Sequence, residues 1–338
     1  MQGRLENQLK TERLIRKILT DLPKEVNEYY LNISTSKEFR TCLEYVKKLR
    51  GFLRWYSETY KVNLRKIDFS QITDIEIAQY LKSIEIKQNK DGDVEFTSFS
   101  YRKGIYSIIN GFFDFLFKKR YISTNPVLLI DKPKKKDKPN HIFLKEKELN
   151  KMVNAVHHGA GNVHSIRRQE KWKSRDLAIL YTFLLTGMRE SALCEIDLNK
   201  INFETNTIEV IDKEHKHNSY TISNKLRGYL LAWLEERESF LNGAECDALF
   251  ISNRRKRIDQ ATVRVIVNKY SEEALGYKVS PHKLRAAYGN IVYRETGSIN
   301  KARSALKHEN VATTQVYYLE DDEKLVNEEV ANILNKKF

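Results

Sequence analysis

The sequence predicts a mainly helical protein with one small β-sheet, divided into two domains. Three observations carry that prediction. Apolar residues recur at steps of three and four along most of the chain, the period of a helix with one buried face. Between residues 201 and 223 the period changes to alternation, the pattern of half-buried strands. Around residues 131–142 a run rich in lysine and proline interrupts every apolar pattern, and a chain of 338 residues is long enough for a core on either side of it.

Residues 1–35 read as a helical extension. Leu5, Leu9, Ile15, Ile18, Leu19 and Leu22 are spread among charges, Pro23 breaks the run, and the segment is too short and too charged for a domain of its own. Residues 36–130 have the pattern of a small helical bundle. Phe39, Leu43, Val46, Leu49, Leu53 and Tyr56 make one stripe of a long helix whose other face carries Lys47, Lys48, Arg50 and Arg54. A second helix over residues 74–86 would turn Ile75, Ala78, Leu81 and Ile84 or Ile86 inward. After the polar turn at Lys90-Asp91-Gly92-Asp93 a third covers residues 98–119, with Ile105, Ile108, Ile109, Phe112 and Leu116 inward and Arg102 and Lys103 near its start; Asn125-Pro126 ends it. Residues 131–142 form a basic linker. Pro133 and Pro139 forbid a continuous helix, and Lys134, Lys135 and Lys136 repel one another into an extended path that suits a row of phosphates.

A second domain is expected over residues 143–320. Residues 144–156 read as a helix, and residues 157–173 as a surface loop: His157, His158 and His164 have no cysteine or acidic partner at metal-ligand spacing. Residues 176–185 are strongly apolar, a buried helix stopped by Thr186-Gly187. Arg189 follows at once, and an arginine held rigidly beside such a turn suits a bidentate grip on a phosphate. Residues 207–211 and 219–223 alternate around a polar loop and form a hairpin with Lys213 at its mouth; Ile201, Asn202 and Phe203 add a third strand. Helices over residues 226–240 and 261–275 flank a basic loop at 253–256. In residues 280–318 two histidines, His282 and His308, accompany Arg285 and the pair Tyr317-Tyr318. Cations for the nonbridging oxygens, groups that pass protons and a phenolic oxygen that forms a new ester are the parts needed to attack a phosphodiester. Residues 321–338 read as a last helix. Asp321, Asp322 and Glu323 suit its N-terminal dipole, and Val326, Val330, Ile333 and Leu334 make an apolar stripe that needs a groove.

Charge and cysteine usage narrow the function classes. Lysine plus arginine number 59 against 45 acidic residues, a net charge of +14, which points to a polyanionic partner, nucleic acid being the commonest. Cys42, Cys194 and Cys246 lie far apart with no CxxC spacing, so neither a disulfide framework nor a zinc site is indicated and a reducing cytoplasm is expected. No apolar run approaches the ~18 residues of a membrane span, and the first residues lack the apolar core of a signal peptide.

Taken in order, these residues resemble the tyrosine recombinase (phage integrase) family along residues 36–335. The family's TGxR turn is matched by TGMR at 186–189, its hairpin lysine by Lys213 with Lys216 as runner-up, and its HxxR box by His282 and Arg285. Its LGHSSxxTTxxY run is matched by LKHENVATTQVY, which selects His308 and makes Tyr317 rather than Tyr318 the nucleophile. The resemblance implies a helical core-binding (SAM-like) domain and an α/β catalytic domain of the DNA breaking-rejoining enzyme fold. It implies a site-specific recombinase that cuts and rejoins double-stranded DNA through a 3′-phosphotyrosine, with no metal or other cofactor. Arg189 and Arg285 would hold the phosphate, Lys213 would protonate the leaving 5′ oxygen, His282 would take the tyrosine proton and His308 would donate to the phosphate. A tetramer on a specific recombination site, with the last helix exchanged between protomers, is implied as well, in a nucleoid-associated, cytoplasmic setting.

Two positions depart from the family pattern. RESAL puts Ala192 where the family often has a glutamate bracing the first arginine, leaving Glu195 as the substitute, and Lys307 replaces the glycine of LGH. The residues leave room for two other activities: a topoisomerase IB-like nicking-closing enzyme, and a catalytically silent DNA-binding protein of the same fold. The small N-terminal part is expected to go with a simple recombinase, and a Lys-, Ile-, Asn- and Tyr-heavy composition with a mobile element from an AT-rich genome; integrase, transposase and Xer-like resolvase remain alternatives.

Overall fold

The computed structural model describes residues 2–88, 94–134, 143–211 and 217–307, with backbone alone at 2–7, 87 and 88. The chain divides into two compact units, Met1–Pro139 and Asn140–Phe338.

The first unit is a helical bundle of α1 (Gln2–Leu19), α2 (Lys24–Ser34), α3 (Phe39–Tyr60), α4 (Asp74–Ser83) and α5 (Phe99–Lys118). Pro23 caps α2 and separates it from α1, where a pyrrolidine ring fits without losing a helical hydrogen bond. α1 and α2, in the stretch read from the sequence as an extension, pack into this bundle. Ile15, Ile18, Val26, Tyr29 and Ile33 join Val46, Leu49, Phe52, Ile109 and Phe112 in one core, and α1 lies along α3. The charges between the apolar positions of α1 and α2 occupy the outer face, so a segment that reads as too charged still supplies a full stripe. Tyr29 meets the rings of Phe112 and Phe115 with centroids 5.4 Å apart.

The second helix also differs from expectation. Thr73 and Glu76 form a capping box that fixes where α4 begins, and the face it then buries holds Ile77 and Tyr80, while Ile75 is 62% exposed. Tyr80 packs on Phe52 at 5.1 Å and Trp55 at 5.4 Å; aromatic area outweighs the Ile75-Ala78-Leu81 stripe. The helix stops at Ser83. Ile86 instead opens β1 (Ile86–Gln88), which pairs antiparallel with β2 (Val94–Phe96).

The second unit packs α6 (Glu146–His158), α7 (Val163–Glu170), α8 (Lys173–Thr186), α9 (Glu190–Cys194), α10 (Asn224–Leu241), α11 (Gln260–Leu275), α12 (Pro281–Thr296) and α13 (Ile299–Leu306). Residues 157–173, expected as a loop, contain α7, started by Asn162, whose side chain accepts from Ser165 N at 3.0 Å. The sheet has the order β3-β4-β5, all antiparallel, from β3 (Ile201–Asn202), β4 (Thr207–Ile211) and β5 (His217–Thr221). Ile208 pairs with Tyr220 and Val210 with Asn218, so Ile208, Val210 and Tyr220 face the core. α8 is buried along most of its length, with α6, α10 and α12 packed around it. Its C-terminal end and its neighbour α12 make the corner where the chemistry-bearing residues gather.

Candidate active site

The corner begins with the end of α8. Thr186, buried there, donates from Oγ1 to Thr182 O at 2.5 Å and accepts from Met188 N at 3.2 Å, which closes the turn on itself. Gly187 follows in the left-handed region at φ +59, and a Cβ on it would lie 2.2 Å from Cδ1 of Tyr288. Glycine is required twice over, by the backbone and by the ring packed against it. Arg189 then takes an extended conformation as the N-cap of α9, half-buried. The next residue, Glu190, is held by a forked pair from Arg264, at 3.1 and 2.8 Å.

α12 supplies the opposing groups. Pro281 starts the helix at its first position, with Ser280 as N-cap, and Val279 N is tied to Ser271 Oγ at 2.8 Å. His282 therefore sits in the first turn and Arg285 nearly one turn on, on the buried side. Arg285 is 3% exposed. Its Nη1 donates to Gly187 O and its Nη2 to Leu306 O, so one guanidinium joins the end of α8 to the end of α13. His282 reaches solvent, yet the protein packed about it and the positive charges of Arg285 and Arg189 hold its pKa below the ordinary histidine value. The positive charges of Arg189 and Arg285 thus both bear on His282. Burial also pushes up the phenol of Tyr288, against the pull of Arg285.

Lys213, His308 and Tyr317 lie outside the described residues, as do the runner-up Lys216 and the terminal helix expected at 321–338. Their flanks are described. β4 and β5 bring Ile211 opposite His217, and α13 ends at Leu306 with Lys307 beyond it.

A family model described as the phage integrase family matches residues 142–324, more than half of the chain. The chain belongs to the phage integrase family. Its members are tyrosine recombinases, enzymes that cleave and rejoin DNA through a tyrosine. Among curated relatives of this integrase-family chain, the tyrosine recombinase XerC of Escherichia coli O157:H7 (strain EC4115 / EHEC) is 25% identical over 304 residues, 88% of this chain and 92% of the relative. Among solved structures, the XerH site-specific recombinase on its palindromic difH substrate, a post-cleavage complex, superposes with a TM-score of 0.64 at 19% identity, covering 96% of this chain and 95% of that one. The lambda integrase tetramer bound to a Holliday junction gives 0.62 at 18% identity, covering 86% of this chain and 76% of that one. The fold is the two-domain, mainly helical one with a small sheet.

Glu195 is exposed at the end of α9, and its charge acts on Arg257 and Cys194. In the first unit, the candidate DNA contacts fall on α3 and α5. Lys47 and Arg54 are exposed and Lys48 and Arg50 half-buried, with Lys47 paired to Glu44 at 3.1 Å. Lys48 lies 5.7 Å from the Tyr101 ring centroid and Lys103 5.9 Å from that of Phe99, which places both over the first turns of α5. Arg102 is held differently, by an ion pair to Glu85 at 3.1 Å. Lys134 is exposed, and Lys135 and Lys136 lie outside the described residues. Sequence reasoning missed Tyr288, which shapes the glycine turn; its place three residues after Arg285, on the same helical face, was the available signal.

Proposed function

We propose that this corner binds the scissile phosphate of a specific duplex site and that the chain recombines DNA there by transesterification. The observation that carries the reading is that Arg285 joins the ends of α8 and α13 while its charge and that of Arg189, which caps the helix after the α8 turn, both act on His282. Two guanidiniums stay protonated at any working pH and match the charge that builds on nonbridging oxygens during attack. Tyr317 Oη forms a bond to phosphorus as the bond from phosphorus to the 5′ oxygen breaks. The phenol proton passes to neutral His282, Lys213 delivers a proton to the leaving oxygen, and His308 donates to the phosphate. The phosphotyrosine conserves the ester bond, so a 5′ hydroxyl from another strand reverses the step.

In this reading α1–α5 with residues 1–130 form the core-binding domain, residues 131–142 lie along phosphates, and residues 143–320 form the catalytic domain. The last helix, 321–338, docks on a neighbouring protomer in a tetramer, the assembly named for the lambda integrase neighbour. The chain works on chromosomal or mobile DNA in the cytoplasm, at the nucleoid. A labelled, nicked duplex pool with randomised arms tests the chemistry. The native protein should give adducts that survive detergent, and Tyr317→Phe should bind the same pool and give none. An adduct persisting in Tyr317→Phe would refute the nucleophile, and relaxation of a plasmid irrespective of sequence by a monomer would favour a nicking-closing enzyme.

A further inference from the structure

Lys307 stands where the resembled pattern has glycine, and the backbone there is left-handed, φ 52 and ψ 45, at the end of α13. Such a conformation suits glycine and strains an L side chain. The side chain of Lys307 is nevertheless committed to a distant strand. Its Nζ donates to Ser219 O on β5 and lies 4.2 Å from the centroid of the Tyr220 ring. That ring is itself fixed, because Tyr220 is buried in the core opposite Ile208 of β4. An ammonium on the face of an immobile ring, with a carbonyl to receive one of its protons, is a rigid tie.

The tie joins two segments that the chemistry needs in register. On one side, Arg285 already holds Leu306 O from α12; on the other, Lys307 fastens the same helix end to β5. The residue after Lys307 is His308, and β5 begins four residues after Lys213. We infer that Lys307 is a positioning residue, a latch that fixes β5, which follows Lys213 in the chain, against the end of α13, which precedes His308. The inference rests on the proposed function, which gives those two residues their roles.

Lys307→Gly removes the latch and relieves the strained backbone, so folding and chemistry are expected to move in opposite directions. Full-length Lys307→Gly should melt at or above the temperature of the native protein and bind the nicked duplex pool equally well. It should form the covalent adduct about tenfold more slowly, the scale expected when a reacting group is displaced by a fraction of an ångström. Lys307→Arg, which keeps a cation and a donor, should recover most of the rate. On a pool with a 5′-phosphorothiolate at the nick-proximal bond, whose sulfur leaves without a proton, the Lys307→Gly defect should shrink. A native rate in Lys307→Gly, no recovery in Lys307→Arg, or an equal defect on both pools would each overturn the latch. A native protein that forms no adduct would instead overturn the functional reading, and the latch with it.

Discussion

The two units bury different chemistry. Among the described residues, the first has an apolar and aromatic core in which Asn125 is the buried polar side chain, whereas the second buries Arg175, Asp176, Arg237, Arg285 and Asn290 with Thr182, Thr186 and Ser271. Those three arginines do similar work. Arg175 donates to Ile251 O at 3.0 Å, Arg237 to Ala248 O at 2.7 Å and to Cys246 O, and Arg285 to the carbonyls of Gly187 and Leu306. A guanidinium offers five donors in a fixed fork, so one side chain can satisfy carbonyls in irregular segments that no ladder reaches. A unit that presents a surface can be held by oil alone. A unit that must keep cations at fixed points accepts the desolvation of charged groups to pin its turns. Arg175 and Arg237 also meet carboxylates, Asp176 at 2.8 Å and Glu238 at 2.6 Å, while Arg285 shares its corner with Arg189 and His282.

A pair of lesions would break or sharpen that contrast. Phe112 is fully buried in the first unit, and Phe112→Ala should cost about 3–5 kcal/mol, read as an earlier denaturant midpoint of the full-length protein. The rate of adduct formation by DNA-bound protein should hardly change. Gly187→Ala should cost less, about 2–4 kcal/mol from ring displacement and the left-handed backbone together, yet abolish adduct formation. If the Phe112 variant loses chemistry in the bound complex, the division of labour between the units is wrong.

The same contrast explains what was legible in the sequence. The apolar stripes of α3 and α5, the buried run of α8 and the alternation of β4 and β5 are local patterns, and they could be read. Arg237 could not. It is 1% exposed on an otherwise amphipathic α10, and only the carbonyls of residues 246, 248 and 249, brought there by tertiary packing, explain it. The buried face of α4 was hidden for a related reason, since Tyr80 chooses that face by meeting Phe52 and Trp55 from another helix. At the site, Arg189, His282 and Arg285 were found from motif spacing, but the use of Arg285 as a tie between Gly187 and Leu306 depends on α13 folding back over α12. Lys307 was visible as an odd residue, and its partner on β5 was not.

The surface of the first unit offers a smaller and finer test. Lys48 and Lys103 lie over the start of α5, whereas Arg102 is engaged by Glu85, which also pairs with Lys82 at 2.7 Å. Each lost phosphate contact lowers the slope of log affinity against log salt by roughly one. Lys48→Ala should show that change on a duplex pool, and Arg102→Ala should leave the slope where it was. The reverse ranking would mean that DNA takes Arg102 away from Glu85.

The smallest effect is also the most direct reading of the corner. The surrounding protein, then Arg285, then Arg189, hold His282 below the usual histidine pKa of about 6.5, so its ring is neutral at pH 7 and free to take a proton. The unfolded chain therefore binds more protons than the folded one as pH falls below about 6.5, and this residue's contribution to stability, fully present above that value, is lost on acidification. A bound phosphate diester brings a negative charge between the two guanidiniums and should raise the same pKa. Ring-proton NMR on free protein should place the His282 titration below 6.5, Arg189→Met should move it part of the way back, and duplex should move it further up. A free-protein value at or above 6.5, untouched by Arg189→Met, would mean that Arg189 does not bear on this imidazole. The second unit would then have buried its charge to hold turns alone, with no anion site between residues 189 and 285.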